Sequence, residues 1–252
     1  MFRVRNTQPP LQRTPRCRIF LDTALQVGSE AVIPADQAHY LRHVMRMAAG
    51  DELTVFDGCG GEYRANLSRL GNRDAACRIE EILNISRELP VAVHIIQCAN
   101  KSEKIETVLQ KGTELGAAGF QIAVSERSQF RLAEQKLESR LQRWRKIIIE
   151  AAEQSGRTLV PELSYCNKLH EVETHGRCFA MHPEAATPWQ GVRDSLAAAA
   201  ALTLAIGPEG GFSVKDLAML QEKGFESMLF GPRVMRTETA APAMLAAIAA
   251  VL

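Results

Sequence analysis

Long apolar runs are missing from this sequence. Its most hydrophobic stretches, residues 196–206 and 240–252, fall short of the roughly 18 to 20 residues of a membrane-crossing helix, so no membrane role is expected. The arginines near the start are followed by prolines rather than an apolar core, which argues against a secretory leader. Charge of one sign is in no excess either: 30 Lys and Arg face 29 Asp and Glu. With 46% hydrophobic and 23% charged residues, the composition is that of an ordinary globular protein with a core, and disorder is not the expectation. Six cysteines, at 17, 59, 77, 98, 166 and 178, contain no C-x-x-C pair, so neither a zinc ribbon nor a small disulfide scaffold is spelled. They read as reduced thiols of a cytoplasmic protein. His39 and His43 stand one helical turn apart, but no acidic or cysteine ligand accompanies them, and no metal is expected. Both nucleotide fingerprints, G-x-G-x-x-G and G-x-x-x-x-G-K-[ST], are absent, which disfavours a phosphate cradle and nucleotide hydrolysis.

What is present changes character along the chain. Residues 1–14 read as a loose extension. From 15 to 85 the pattern is mostly short strands, over 17–21, 52–56, 62–68 and 76–82, with glycines 58, 60 and 61 forming a hairpin turn. One helix, expected over 35–47, interrupts them. This reads as a small barrel-like domain. Near residues 86–90 strands begin to alternate with helices: strands over 91–96, 120–124, 177–181, 202–206 and 227–230, helices over 103–115, 133–154 and 213–223. Such alternation implies an α/β domain over 86–252 with a parallel sheet covered on both faces. Basic residues cluster in two places: five arginines within residues 1–20, and seven basic against two acidic residues over 127–146. That is compatible with phosphate contacts and equally with solvated faces.

Two glycine-bearing turns each follow a short apolar strand: GPEGGFS at 207–213 and GPRVMRTETA at 231–240. A single such turn is usually only a turn. Two at the carboxyl ends of neighbouring strands lie where open α/β sheets place their ligand crevice. Ser213 with Asp216 has the form of a capping box, so the first turn runs straight into a helix. After Glu238 no charged side chain appears through Leu252, and a helix apolar all round is expected to be buried all round. Pro242 is expected within about its first turn, where proline is tolerated.

The two turns, IGPEGGFS and LFGPRVMRTETAA, resemble the cofactor loops of the SPOUT class of methyltransferases, and within it the RsmE family of 16S ribosomal RNA (uracil-N3) methyltransferases. The similarity extends through HYLRHVMR at 39–46, FDGCGGEY at 56–63, TELG at 113–116, SERS at 125–128, EAAEQSGR at 150–157 and HPEA at 182–185. It implies a PUA-like RNA-binding β-barrel domain over 15–85 and a SPOUT domain over 86–252 with a trefoil knot. A homodimer formed over the carboxyl segment and a cytoplasmic activity on the small ribosomal subunit come with it.

S-adenosylmethionine is the cofactor so implied. Its contacts are carried onto Met181, His182, Gly207, Pro208, Glu209, Gly210, Gly211, Phe230, Gly231, Val234, Met235 and Thr239. Methyl transfer to uracil N3 also requires loss of the N3 proton. Arg236 is the candidate for stabilising the uracil anion and Glu238 the nearest acid, with an Arg236–Glu238 pair capping the last helix as the structural alternative. Contact with 16S rRNA is assigned to Arg16, Arg18, Arg42, His43, Arg46, Arg127 and Arg157. For Arg157 a helix-end structural role stands beside that assignment. Two other functions stay open at this point: a related SPOUT RNA methyltransferase with another target nucleotide, and a non-catalytic RNA-binding or ribosome-assembly protein.

Overall fold

The computed structural model describes residues 17–71, 74–196 and 199–252. Arg16 and the segment 1–14 lie outside the described residues. The chain divides into two compact units at Ile85–Ser86.

The first unit carries β1 (Arg18–Phe20), β2 (Glu30–Val32), α1 (Ala35–His43), β3 (Glu52–Phe56), β4 (Glu62–Leu70) and β5 (Ala75–Leu83). They form one mixed sheet in the order β1-β3-β4-β5-β2, antiparallel except for the β1–β3 pair. Alternation in β3 and β4 turns Leu53, Val55, Ala65 and Leu67 inward, where they pack with Ile19, Leu41 and Ile79. The glycine turn between β3 and β4 closes on Asp57, whose carboxylate accepts from the amides of Cys59 at 2.8 Å and Gly61 at 3.1 Å. Gly58 and Gly60 there have φ of 75° and 109°, which side chains disfavour. Helix α1 ends four residues earlier than the apolar spacing suggests. Arg46 adopts a left-handed φ of 54°, and the Met47 amide turns back to the Leu41 carbonyl at 3.0 Å, so the chain leaves the helical path.

The second unit alternates β6 (Ala92–Cys98), α2 (Ser102–Glu114), β7 (Ala117–Ala123), α3 (Glu134–Ser155) and β8 (Glu162–Cys166). It continues with β9 (Arg177–Met181), β10 (Thr187–Pro188), α4 (Trp189–Leu196), β11 (Ala201–Ile206), α5 (Val214–Glu222), β12 (Phe225–Leu229) and α6 (Thr237–Val251). All its strand pairs are parallel, in the order β10-β12-β9-β11-β6-β7-β8. From β6 the chain runs outward through β7 and β8, then resumes on the other side of β6. The order therefore reverses between β6 and β11, and the carboxyl ends of these two strands flank the switch point. Two apolar layers cover the faces. One joins Ile95, Leu109, Phe120, Trp144, Leu204 and Leu245; the other joins Ile96, Leu169, Ala205, Phe212 and Phe225.

Helix ends follow local chemistry. Gly156, with φ of 80°, caps α3 in the left-handed conformation. Ser213 and Asp216 make the reciprocal capping box that starts α5, each bond 3.0 Å. Helix α6 departs from expectation twice. It begins at Thr237, so Pro242 sits in its second turn rather than its first, where it removes the amide that would bond the Glu238 carbonyl. Nor is it buried all round: Ala240, Ala241, Met244, Leu245 and Ile248 are covered, while Thr239, Ala246, Ala249, Ala250 and Val251 face outward. No described helix is long and apolar enough to cross a membrane.

Candidate active site

At the carboxyl ends of β9 and β11 lies a cavity of about 740 Å³, with a smaller one of about 80 Å³ at the ends of β9 and β12 beside it. The sheet brings strand ends together there, and the loops that follow supply the walls. The Met181–Pro183 segment forms one side, held by the His182 amide donating to the Met228 carbonyl at 2.9 Å.

Residues 207–211 form the second wall, and they are fixed from several directions. The Gly211 amide donates to the Pro208 carbonyl at 2.8 Å, closing the turn. Thr237, 7% exposed at the first turn of α6, donates its hydroxyl to the Gly207 carbonyl at 2.7 Å. The same hydroxyl accepts from the side-chain amide of buried Gln97 at 2.8 Å. Arg127 donates to the Gly210 carbonyl at 2.9 Å. A Cβ on Gly207 would stand 3.2 Å from the Phe212 nitrogen, so the backbone packs more closely than a side chain permits comfortably. The capping box carries this order into α5, since Asp216 also accepts from the Glu126 amide at 3.2 Å.

Residues 231–235 form the third wall. Gly231 makes the turn with φ of 73°, Val234 is 81% exposed, and among the described residues no hydrogen bond or ion pair ties this stretch down. Phe230 lies in the smaller cavity with Met181, Met228 and Met235, an apolar slot suited to a flat ring.

The amino end of α6 stands in the cavity wall through Arg236, its N-cap residue, with Thr237 and Ala240. Arg236 lines the cavity and is exposed, and its guanidinium has no hydrogen bond or ion pair among the described residues. A free guanidinium beside a helix amino terminus favours negative charge developing nearby. Glu238 does not pair with Arg236. Its carboxylate lies 3.5 Å from Lys104, whose ammonium also meets Glu209 at 2.9 Å. The Glu209 hydrogen bond, with partial burial opposing it, raises the Lys104 pKa, so Lys104 stays an ammonium. Partial burial pushes the Glu209 carboxyl up, but Lys104 and a backbone amide outweigh it and leave it below the usual carboxylate range.

Of the residues singled out from sequence, Met181, His182, Gly207, Pro208, Glu209, Gly210, Gly211, Val234, Met235 and Arg236 line the larger cavity, and Phe230 the smaller. Gly231 supplies the turn behind them. Thr239 stands exposed on the first turn of α6, its amide donating to the Arg236 carbonyl at 2.9 Å. Arg127, expected to touch RNA, lines the cavity and holds the first glycine loop. Three contributors escaped sequence reasoning: Gln97, Lys104 and Thr237. The signal available for Lys104 was its position a few residues past the carboxyl end of β6.

Two of the expected RNA contacts are corrected. Arg157 is 3% exposed and fully engaged inside the second unit, with Glu88 as its ion-pair partner and the Thr113 and Ala117 carbonyls as acceptors at 3.1 and 2.7 Å. Arg18 has a side chain 5% exposed, pairs with buried Glu62 at 2.8 Å and lies over the Phe56 ring at 3.8 Å. Both guanidiniums are structural, because a side chain so enclosed cannot reach a phosphate. Arg42, His43 and Arg46 remain exposed at the end of α1. Another cavity, about 350 Å³ between α2 and α3, is walled by Glu103, Glu106, Glu114 and Glu150; that acidic wall repels a phosphate chain and no strand end reaches it. Among the described residues no group of three or more His, Cys, Asp or Glu could hold a metal ion.

Comparison with known proteins agrees with this arrangement. A family model for an RNA methyltransferase domain matches residues 87–249, and one for an RNA methyltransferase PUA domain matches 33–80. Ribosomal RNA small subunit methyltransferase E of Bacillus subtilis is 32% identical over 92% of this chain and 95% of its own length. The structure of a Legionella pneumophila protein with bound cofactor SAM superposes with a TM-score of 0.85 at 34% identity, covering 95% of this chain and 98% of that one. Ribosomal RNA small subunit methyltransferase E of Neisseria gonorrhoeae, bound to S-adenosyl methionine, gives 0.84 at 29% identity, over 93% of this chain and 96% of that one. Fold, crevice and similarity over nearly the full length converge: the chain belongs to the RNA methyltransferase family whose members include the ribosomal RNA small subunit methyltransferases E.

Proposed function

We propose that this chain transfers a methyl group from S-adenosylmethionine to N3 of one uridine in 16S rRNA of the small ribosomal subunit. The observation that carries the reading is the crevice at the switch point, walled by two glycine loops with an unpaired Arg236 at the amino end of α6. Its donor set fits the cofactor: an apolar slot at Phe230 and Met235 for an adenine ring, peptide groups of 207–211 and 231–235 for the ribose and amino-acid portions, and carboxylates facing a cationic centre. Met181, His182, Gly207, Pro208, Glu209, Gly210, Gly211, Phe230, Gly231, Val234, Met235 and Thr239 would hold it. When bound, the cofactor supplies a methyl group already activated by its sulfonium.

The chain's own contribution is positioning and charge. Effective concentration of well-held reactants is worth about 7 to 11 kcal/mol, and a backbone-walled slot anchored through Thr237 and Arg127 loses little order when it fills. Arg236 and the α6 amino terminus lower the free energy of a uracil N3 anion, so N3 gives up its proton without a strong base; Glu238 is the nearby acceptor. Target uridines in folded RNA must leave their stack at a cost of a few kcal/mol. Arg42, His43 and Arg46 of the first unit supply phosphate contacts that offset it. The outward alanine face of α6 is covered by a second copy in a homodimer, and the carboxyl segment forms the knot of the SPOUT class. The protein acts in the cytoplasm, where ribosomal subunits assemble.

The test is incubation with small subunits lacking the modification and cofactor labelled on its methyl group, followed by nucleoside mass spectrometry. Label is expected in 3-methyluridine. Label in any other nucleoside overturns the acceptor atom, and no incorporation into RNA overturns the activity.

A further inference from the structure

The only lysine among the described residues of the cavity wall has no part in the reading above. Lys104 rises from the first turn of α2, one loop beyond β6, and contacts two elements far away in sequence. Its ammonium is 2.9 Å from Glu209 on the first glycine loop and 3.5 Å from Glu238 on α6. Glu238 has a side chain only 19% exposed, and its Oε2 is buried with no hydrogen bond. That oxygen carries charge into a partly dry site, and the nearby ammonium is its compensation. A surface lysine paired to one carboxylate contributes little. This one bridges two walls of one crevice.

We propose that Lys104 is a positioning residue for methyl transfer, clamping the first glycine loop to the amino end of α6 through Glu209 and Glu238. The inference rests on the methyltransferase reading of the crevice. Lys104 is not the proton acceptor, because Glu209 holds it in the charged form. Its role is geometric and electrostatic. Without its ammonium, Glu209 in the cavity wall and the part-buried Glu238 behind it lose their shared counter-charge, and neighbouring like charges resist joint ionisation. The other charged and titratable groups around them are Lys101, which acts on Glu209, and Arg127, His182, Glu184 and Arg236 in the cavity wall. None of these has an ion pair with Glu209 or Glu238, so none replaces the clamp.

The experiment compares the full-length wild type with Lys104→Met, Lys104→Arg and the double variant Lys104→Met/Glu209→Gln. Three readouts are taken between pH 4 and 9.5: S-adenosylmethionine affinity by calorimetry, kcat and KM for methylation of small subunits, and thermal unfolding. Lys104→Met is expected to stay folded and bind cofactor within about threefold of wild type near pH 9. Its kcat falls about a hundredfold, the scale of a small misplacement at a reacting centre. The acid limb of cofactor affinity and of kcat moves to higher pH, because the Glu209 carboxylate loses the ammonium that favours its ionised form. Arginine at 104 restores most of the turnover, and Glu209→Gln in the Met background returns the acid limb toward its original place. An unchanged kcat and an unchanged acid limb in Lys104→Met overturn the clamp. So does a parallel loss of affinity, turnover and unfolding temperature with no movement of the limb, since that is what a plain structural staple gives. If the wild type binds cofactor but methylates no RNA, the methyltransferase reading fails, and the calorimetric limb alone decides on Lys104.

Discussion

The two glycine loops of the crevice look alike in sequence and differ in how the fold holds them. Residues 207–211 are tied by Thr237, Arg127, an internal turn and the capping box of α5. Residues 231–235 have a left-handed glycine, an exposed valine and no tie among the described residues. One wall is therefore built before any ligand arrives, and the other has little to break when it moves. Order on one side keeps the entropy cost of binding low; freedom on the other admits a bulky substrate.

The largest effect that sharpens this contrast is at Arg236, where the second loop enters α6. Arg236→Ala is expected to lower turnover by about 10² to 10³ while cofactor affinity stays within about tenfold, measured by single-turnover methylation and calorimetry. Equal losses in both would place Arg236 in binding. Next is the fixed loop: Thr237→Val leaves the Gly207 carbonyl without its hydroxyl donor and the Gln97 amide with only the 3.3 Å bond to the Cys98 carbonyl, costing about 2 kcal/mol in urea unfolding and weakening cofactor binding with it. A smaller pair of variants sets the loops against each other. Gly207→Ala crowds backbone at 3.2 Å, whereas Gly231→Ala meets open space and suffers only its positive φ, worth about 1 kcal/mol. Calorimetry is expected to show the greater loss of cofactor affinity for Gly207→Ala; the reverse order would mean that the second loop is the rigid one.

The smallest effect comes from the opposite end of the scaffold the loops share. His94, near the start of β6, stacks on His175 with ring centroids 3.9 Å apart. Burial and then its imidazole neighbour depress its pKa below the ordinary 6.5. A depressed folded value means that the unfolded chain binds the proton more readily. Stability is thus intact above pH 6.5 and declines as pH falls through the folded pKa. Thermal unfolding between pH 7.5 and 5 is expected to show this slope, and His94→Gln to flatten it, with the order of the two loops unchanged.

Much of this architecture could be read from the chain because strands ending in glycine turns, and helices with apolar stripes, are local patterns. The strand at Arg177–Met181 and the capping box at Ser213 are of this kind. Short elements escaped: β2 and β10 have three and two residues, too few for a periodicity, and α4 lies next to an apolar run that merges with β11. Misassigned arginines have a different cause. Sequence displays the charge of Arg18 and Arg157, but the carboxylates that bury them are 44 and 69 residues away. Gln97 and Thr237 are 140 apart, and only the folded sheet brings the amide and hydroxyl together.

Pro242 interrupts the backbone ladder of α6 one turn after Glu238. Because the Glu238 carbonyl receives no amide from residue 242, the first turn of α6 depends less on its own ladder than on Thr237, whose hydroxyl joins Gln97 to the Gly207 carbonyl. Removing that hydroxyl is expected to speed deuterium uptake in the first turn of α6 while the turns around Met244 and Ile248, packed in the core, stay slow.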